Sequence, residues 1–258
     1  MLTFDLKNLN VEIEHQPILT DINFSLKQGE ILYITGENGS GKTTLLKSIM
    51  NHFSTKITSG EVILNSQTIN NYTTDKIANS GVFYISQTPV ELPGVSTLSL
   101  LKLINENREN KKFSELFNTI QTNLELFKIP EELLSRDLNV GFSGGQKKKV
   151  EFLQASVFNP QVLLLDEVEA GLDVDAIKTI VQFINSVYKK MIIIIISHNL
   201  NFVNQLNIKK TIVLANKKIV KEGKKDLIKT IEEKGLRTFD KTSSPTHKVV
   251  LEKCRIKK

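Results

Sequence analysis

The sequence predicts an α/β fold: a mostly parallel core sheet, an antiparallel β region and an inserted helical lobe. Two observations carry this prediction. Apolar runs such as 162–165 and 191–196 alternate with helical patterns, and regular apolar–polar alternation is confined to the start of the chain. Strands too apolar to have one solvated face, separated by helices, are typical of parallel sheets covered on both faces.

The first third of the chain is predicted to be rich in strands. Over residues 1–35, apolar and polar residues alternate, which indicates half-buried β-strands. Residues 31–50 then read as a buried strand, a glycine-rich loop and a helix. Residues 60–69 predict a short strand pair, and residues 81–86 predict a core strand, after which the β pattern stops.

The remainder is predicted to be a helical insertion followed by renewed α/β alternation. Amphipathic patterns place a helical lobe at about 88–158, inside a single domain that spans 2–240. The elements expected after it are a strand at 162–167, a helix near 174–190, a strand at 191–197, a hairpin at 211–223 and a helix at 225–234. Residues 241–258 form a basic tail without periodicity.

Composition excludes several classes of protein. The chain has 258 residues, 40% of them apolar and 24% charged, which excludes disordered and collagen-like proteins. The net charge is +6, but residues 241–258 hold six Lys and Arg against one Glu, a net of +5 that leaves +1 for the first 240 residues. Because the excess charge is confined to the tail, a nucleic-acid partner is not expected.

The sequence also bears on compartment. No apolar leader is visible at the N-terminus, and the longest apolar run, Met191 to Ile196, is far shorter than the roughly 20 residues of a membrane helix. The single cysteine, Cys254, can form no internal disulfide and cannot hold a metal cluster alone. We expect a cytoplasmic protein, or alternatively one of the stroma of a plastid-type organelle, without direct membrane insertion.

The most specific motif is GENGSGKT at 36–43, which matches the phosphate-binding pattern G-x-x-x-x-G-K-[ST] between a strand and a helix. Glycines let the backbone amides surround phosphate oxygens at the helix N-terminus. Lys42 is predicted to contact the β- and γ-phosphates, and the Thr43 hydroxyl to bind Mg²⁺. The predicted nucleotide contacts of this motif are Gly36, Glu37, Asn38, Gly39, Ser40, Gly41, Lys42, Thr43 and Thr44.

An acidic pair follows the apolar run 162–165. At the end of a buried strand, Asp166 can hold a water bound to Mg²⁺, and Glu167 can activate the attacking water. The pair alone is a weak signal, since many strands end in a solvated acid. Together with the phosphate-binding motif it predicts hydrolysis of a nucleoside triphosphate.

Neither motif explains the segment SGGQ at 143–146, and here the sequence resembles the ATP-binding-cassette (ABC) ATPases. Gln87 resembles their Q-loop glutamine, residues 171–173 their D-loop and His198 their switch histidine; the resemblance spans about 2–235. It implies that two cassettes meet head to tail around ATP, with contacts from Ser143, Gly144, Gly145 and Gln146 of the opposite copy. It further implies Glu167 as general base, His198 at the γ-phosphate and Gln87 at Mg²⁺.

Two longer stretches, 87–101 and 129–154, closely resemble the SufC family, the ATPases of SUF iron-sulfur cluster assembly. That resemblance implies SufB- and SufD-like scaffold partners and a transient head-to-tail homodimer that forms with ATP and remodels them. The sequence departs from the pattern at Gln146, where that family usually has Glu, and at 13–15, where many transporter cassettes have an aromatic residue for adenine. The alternative is the ATP-binding subunit of an ABC transporter.

Overall fold

A six-stranded sheet forms the centre of the molecule, and the computed structural model describes residues 1–108 and 111–239. The strands are β1 (Thr3–Ile13), β2 (Gln16–Lys27), β3 (Ile31–Thr35), β4 (Lys56–Leu64), β5 (Gln67–Thr68), β6 (Val82–Ile85), β7 (Leu92–Ser96), β8 (Asp137–Leu138), β9 (Val162–Asp166), β10 (Ile192–Ile196), β11 (Ile208–Ala215) and β12 (Lys218–Gly223). The helices are α1 (Lys42–Ile49), α2 (Thr74–Asn79), α3 (Thr97–Arg108), α4 (Phe113–Phe127), α5 (Gly144–Phe158), α6 (Val174–Val187), α7 (Leu200–Asn204) and α8 (Lys225–Lys234). Short 3₁₀ helices occupy Glu131–Leu134, Tyr188–Lys190 and Leu236–Phe239.

The larger sheet has the strand order β12-β11-β3-β10-β9-β6. Neighbouring strands are parallel except β11 and β12, which form an antiparallel hairpin. Every residue of β3, β9 and β10 is buried, so none of these strands has a solvated face that would call for polar residues. The predicted, mostly parallel core sheet is confirmed.

The two faces of this sheet pack against different parts of the chain. Leu32 and Leu164 belong to a core that includes α1 and the smaller sheet, whose antiparallel order is β2-β1-β4-β5. Tyr33 and Leu165 belong to a second core that includes α4, α5 and α6. The central sheet therefore joins the antiparallel region to the lobe.

The carboxyl ends of four central strands meet at one edge. Ile196 pairs with both Ile34 and Asp166, and Ile85 pairs with Leu165. The segments that follow β3, β6, β9 and β10 therefore lie side by side. Ligands of open α/β sheets bind at this edge, so the fold brings the sequence motifs to the expected place.

The lobe contains α3, α4 and α5 and also a small antiparallel sheet of β7 and β8. The prediction that strands stop after residue 86 is therefore wrong. The sequence gives little sign of this pair, because β7 contains Pro93 and Gly94 and β8 has only two residues. The Asp137 carboxylate reinforces the pairing by accepting a hydrogen bond from the Gly94 amide at 2.9 Å.

Most other predicted elements are present. The hairpin, the closing helix and the helix before β10 lie where the sequence placed them, whereas the short helices α2 and α7 were not predicted. Asn216 and Lys217 turn the hairpin with φ values of 51° and 68°, as a tight two-residue turn requires. The tail and Cys254 lie outside the described residues. Within 1–108 and 111–239, no helix is both long and apolar enough to cross a bilayer.

Candidate functional site

Residues 36–41, here called the phosphate loop, connect β3 to α1. Gly41 caps the helix with φ 97° and no side chain fills the cap, so amides of the first turn remain available to an anion. A Cβ atom on Gly36 would lie 2.2 Å from the carbonyl oxygen of Leu214, and one on Gly41 would lie 2.7 Å from the Leu19 side chain. Glycine is required at both positions, and it leaves the backbone open to a phosphate.

The loop also holds a polar atom that fits a ligand. The Ser40 hydroxyl oxygen is buried and has no hydrogen-bond partner among the described residues. Buried hydroxyl groups are nearly always paired, so this one is suited to a bound phosphate or its waters. Glu37, Asn38 and Gly39 are exposed at the rim of the loop.

Lys42 crosses the loop from the first turn of α1. Its ammonium group donates hydrogen bonds to the carbonyl oxygens of Gly36 at 2.9 Å and Glu37 at 3.0 Å. Burial lowers the pKa of the amine, while the nearby carboxylates of Glu167 and Asp166 oppose that shift. With two of its three protons used inside the loop, the ammonium retains one for a ligand.

Asp166, at the end of β9, is fully buried. Its Oδ1 accepts a hydrogen bond from the Thr43 hydroxyl at 3.2 Å, and its Oδ2 accepts one from the Tyr84 hydroxyl at 2.8 Å. Burial raises the pKa of the carboxyl, and these two hydrogen bonds counteract the shift. Sequence reasoning paired Asp166 with Thr43 but missed Tyr84, because only the adjacency of β6 and β9 brings the tyrosine here.

The carboxylate of Glu167 contacts two of the other predicted site residues, Gln87 and His198. Gln87 donates from Nε2 to its Oε2 at 2.8 Å, and His198 Nε2 lies 3.3 Å from its Oε1. The backbone of Glu167 has φ 48°, a left-handed conformation that costs about 1 kcal/mol for a residue other than glycine. This conformation turns the carboxylate of Glu167 to the cleft, while that of Asp166 remains in the sheet.

One cleft of about 560 Å³ is lined by Lys42, Thr43, Gln87, Glu167 and His198. Its lining includes residues from the phosphate loop and the start of α1, together with the three residues that meet at Glu167: Asn38, Gly39, Gly41, Lys42, Thr43, Thr44, Gln87, Glu167 and His198. Ile13 and Ile18 add apolar surface from β1 and β2. The cleft therefore combines cationic, acidic and apolar walls, as a nucleoside triphosphate and its base require.

The chain alone supplies few metal ligands here. Within the described residues, no group of three or more His, Cys, Asp or Glu side chains is arranged to hold a metal ion. Mg²⁺ is usually held by one or two carboxylates together with phosphates and waters, so the pair of Thr43 and Asp166 fits Mg²⁺ that accompanies a nucleotide. The chemistry of the donor set agrees with a hard cation and not with a thiolate-bound metal.

The segment 143–146, here called the signature segment, is not among the described residues that line this cleft. It begins α5 with a capping box: the Ser143 hydroxyl accepts from the Gln146 amide at 3.2 Å, and Gln146 Oε1 accepts from the Ser143 amide at 2.9 Å. A Cβ atom on Gly144 would meet nothing within 4 Å. Ser143 and Gly144 are exposed, Gly145 and Gln146 are half-buried, and the segment lies apart from the cleft around the phosphate loop.

A second cleft, of about 800 Å³, adjoins the first at Glu167 and His198 and is lined by the segment 169–172. Glu169 is 6% exposed; its Oε1 accepts a hydrogen bond from the Ser197 hydroxyl, which in turn accepts from the Asn199 amide at 2.9 Å. Burial raises the pKa of Glu169, and the Ser197 hydrogen bond opposes the shift. Glu169 was not predicted from the sequence, yet it joins the predicted D-loop to the segment that carries His198.

A third cleft, the lobe groove, runs between the central sheet and the lobe, and includes Tyr84, Gln87, Val90, Leu138 and Glu151 in a volume of about 550 Å³. Lys148 of α5 closes one end by donating to the carbonyl oxygen of Ser86 and to Glu151 at 3.3 Å. Burial raises the pKa of Glu151 to about 7, although Lys148 partly offsets the shift. α5 therefore contacts the segment that contains Gln87 directly.

Comparison with known proteins identifies relatives along nearly the whole chain. The family described as ABC transporter matches residues 19–170. The "Probable ATP-dependent transporter ycf16" of Antithamnion sp. is 36% identical over 91% of this chain and 96% of its own, and the "Probable ATP-dependent transporter SufC" of Escherichia coli K12 is 34% identical over 89% and 96%. The solved dimer of the ATP-binding cassette MJ0796 in a post-hydrolysis state, bound to ADP and Pi, is similar in fold: its TM-score is 0.73 at 22% identity, with coverage of 86% of this chain and 98% of that one.

Proposed function

The chain is an ABC ATPase, a member of the ABC transporter family, and from that premise we propose that it is the ATP-hydrolysing subunit of a SUF-type iron-sulfur cluster assembly complex. The observation that carries the proposal is the 34% identity to E. coli SufC along nearly the full length of both chains. The stretches 87–101 and 129–154 support it further, because they extend beyond the residues that ATP hydrolysis itself requires.

In the proposed reaction, the phosphate loop and Lys42 bind the β- and γ-phosphates of ATP, and Glu167 takes a proton from the attacking water. Mg²⁺, held by Thr43, Asp166 and Gln87, would neutralise charge on the phosphates. His198 is proposed to contact the γ-phosphate. Support comes from the convergence of Gln87 and His198 on the two oxygens of Glu167, which fixes the base while leaving it at the cleft surface.

We propose that Ile13 and Ile18 contact the adenine base. Residues 13–15 include no Phe, Tyr or Trp, and Ile13 and Ile18 give the cleft an apolar wall. Apolar packing against a base is less specific than aromatic stacking with polar contacts. Selection of ATP over GTP should accordingly be weak in the isolated chain.

The proposal includes a head-to-tail homodimer that forms with ATP. The exposed signature segment presents backbone amides at a helix N-terminus, and its two capping side chains are already paired with each other. Such amides are suited to a phosphate brought by a second copy. The dimeric state of MJ0796 supports this arrangement by analogy of fold.

SufB- and SufD-like scaffold proteins are the proposed partners, and the lobe groove is the proposed contact. Val90 is 65% exposed beside the groove, and Gln87 belongs both to the groove and to the ATP cleft. A partner seated there would sense the presence of Mg²⁺ and ATP through Gln87. Dimer closure would then remodel the two scaffold proteins in the cytoplasm, or in the stroma of a plastid-type organelle.

A second candidate, the ATP-binding subunit of a transporter, is favoured by the names of the relatives, several of which are described as probable ATP-dependent transporters. The two candidates differ in their partner. Light scattering after size-exclusion chromatography of the chain with SufB- and SufD-like proteins, with and without ATP, separates them. A complex with two copies of this chain supports cluster assembly; ATP hydrolysis without any complex contradicts it and leaves the transporter.

A further inference from the structure

Tyr84, in β6, contacts the buried acid of the proposed Mg²⁺ site. We propose that Tyr84 is a positioning residue whose hydroxyl fixes the orientation of the Asp166 carboxylate for the metal that accompanies the nucleotide. The inference rests on the proposed role of Asp166 as a metal residue. It adds a group that lies outside the motifs identified in the sequence.

The two oxygens of Asp166 are held by side chains from two different elements. Thr43 donates to Oδ1 at 3.2 Å from α1, and Tyr84 donates to Oδ2 at 2.8 Å from the neighbouring strand. Strand pairing fixes the second contact, because β6 and β9 are parallel neighbours and Tyr84 pairs with Leu164. A carboxylate held at both oxygens cannot rotate about its terminal bond without breaking a hydrogen bond.

The two contacts are not equivalent. Thr43 is itself a proposed Mg²⁺ residue, so its hydroxyl must turn from Asp166 to the metal when nucleotide binds. The Tyr84 hydroxyl has no such second task, and its hydrogen bond is the shorter of the two. Tyr84 is therefore the contact that keeps Asp166 oriented while Thr43 changes partner. Groups that orient a metal ligand in this way contribute strongly to affinity for the metal.

Packing holds the tyrosine ring in place. Tyr84 is half-buried, packs against the core of the smaller sheet and also lines the lobe groove beside Gln87. Its hydroxyl meets Asp166 at the lobe groove, which Thr43 and Asp166 also line. Removal of the hydroxyl alone, by Tyr84→Phe, should preserve this packing and change only the hydrogen bond.

The test measures metal binding directly. Electron paramagnetic resonance of free Mn²⁺, titrated with the full chain and ADP, reports the affinity for the metal without any turnover. Tyr84→Phe should weaken Mn²⁺ binding about tenfold, the loss expected for a group that orients a metal ligand. ADP affinity measured in EDTA should be unchanged. Tyr188→Phe is the matched control, since Tyr188 accepts a hydrogen bond from Asn207 at 2.9 Å away from the site.

Asp166→Asn separates the inference from the function on which it rests. If Asp166→Asn loses Mn²⁺ and Tyr84→Phe binds it as the unchanged protein does, the proposed metal site stands and the role of Tyr84 is refuted. A lower melting temperature of Tyr84→Phe with unchanged Mn²⁺ affinity refutes it equally, because the hydroxyl would then serve stability alone. Full Mn²⁺ binding by Asp166→Asn would overturn the metal site itself.

Discussion

α1 and α5 both begin with a glycine-rich turn, but the two N-termini are built differently. At α1 no side chain caps the helix, and the surrounding cleft contains a lysine, a glutamate and a histidine from the same chain. At α5 a capping box occupies both polar side chains of the signature segment, and the space above Gly144 is open. The N-terminus of α1 is therefore surrounded by charged and polar side chains, whereas the N-terminus of α5 presents only backbone groups.

The contrast indicates that, in the proposed ATP site, one copy of the chain contributes the cleft around α1 and the other copy contributes the signature segment. The residues proposed to bind phosphates and activate water lie around α1. At the start of α5, Ser143 and Gly144 are exposed, and residues 143–146 include no charged side chain. Substitutions around α1 should therefore abolish functions that one copy performs alone, such as nucleotide binding. Substitutions at the start of α5 should affect only functions that need two copies, such as hydrolysis by the dimer.

The largest effect is expected from Glu167→Gln. Loss of the water-activating carboxylate should lower turnover about a thousandfold, because general bases contribute on that order. ATP binding should remain, and a closed dimer should accumulate. Phosphate release and light scattering measure the two effects, with the exposed Glu115→Gln as control. Hydrolysis by Glu167→Gln at the normal rate would assign the general base elsewhere.

Lys42→Ala should have the next largest effect. The phosphates lose their fixed cation, so nucleotide affinity should fall about a hundredfold, equivalent to about 3 kcal/mol for a charge-assisted contact. Fluorescence titration with a labelled ATP measures the loss. Lys178→Ala removes an exposed lysine of α6 and should leave affinity unchanged. Equal affinity in the Lys42 variant would contradict the assignment of the phosphate loop.

A mixing experiment tests the division between α1 and α5 most directly. Gly144→Glu places a carboxylate where the signature segment should meet phosphate, so this variant should bind ATP but not hydrolyse it. Mixed with inactive Lys42→Ala, it forms some dimers with one intact composite site. Random pairing then restores about a quarter of the normal activity. No recovery in a mixture that does form heterodimers would show that the two helix ends do not share one ATP.

The smallest effect concerns stability at the third turn of α5. The pKa of Glu151 is raised to about 7, so the folded protein binds more protons there than the unfolded chain between about pH 4.5 and pH 7. Stability contributed by this group therefore falls as pH rises through that window. Compared with Glu151→Gln, the unchanged protein should lose about 2–3 kcal/mol more between pH 5 and pH 8, since one pKa unit is worth 1.36 kcal/mol and the window within that range spans about two units.

Urea unfolding of both proteins at the two pH values measures this difference. The other buried acids, Asp166 and Glu169, are present in both and cancel. Parallel stability curves for the two proteins would show that Glu151 ionises at an ordinary pH. The hydrogen bond from Lys148 to Ser86 would then form beside a charged Glu151 and not beside a neutral one.

The sequence predicts the central sheet well because β9 and β10 carry unbroken apolar runs, which only a doubly covered strand tolerates. It predicts the phosphate loop and the acidic pair because each follows a buried apolar strand, β3 for the loop and β9 for the acidic pair. Tyr84 and Glu169 escape prediction because their contacts depend on which strands are neighbours. The order β12-β11-β3-β10-β9-β6 is not the order along the chain, and no local pattern encodes it.

The lobe is harder to predict for a different reason. β7 and β8 pair through a few residues only, and one of them contains a proline and a glycine that usually indicate a turn. The segment 143–146 was recognised by its resemblance to a family signature, but its capping box and its exposure were seen only in the structure. Motifs within one short segment could therefore be predicted from the sequence, whereas the pairing and the exposure of the segments of the lobe could not.

The hydrogen bonds of Lys42 within the phosphate loop have a consequence for the entropy of binding. A lysine side chain loses about 2 kcal/mol of rotamer freedom when it is immobilised. Here the carbonyl oxygens of Gly36 and Glu37 already immobilise it, so this loss belongs to folding and not to nucleotide association. A phosphate bound at the proposed site would therefore meet a cation whose position is set in advance.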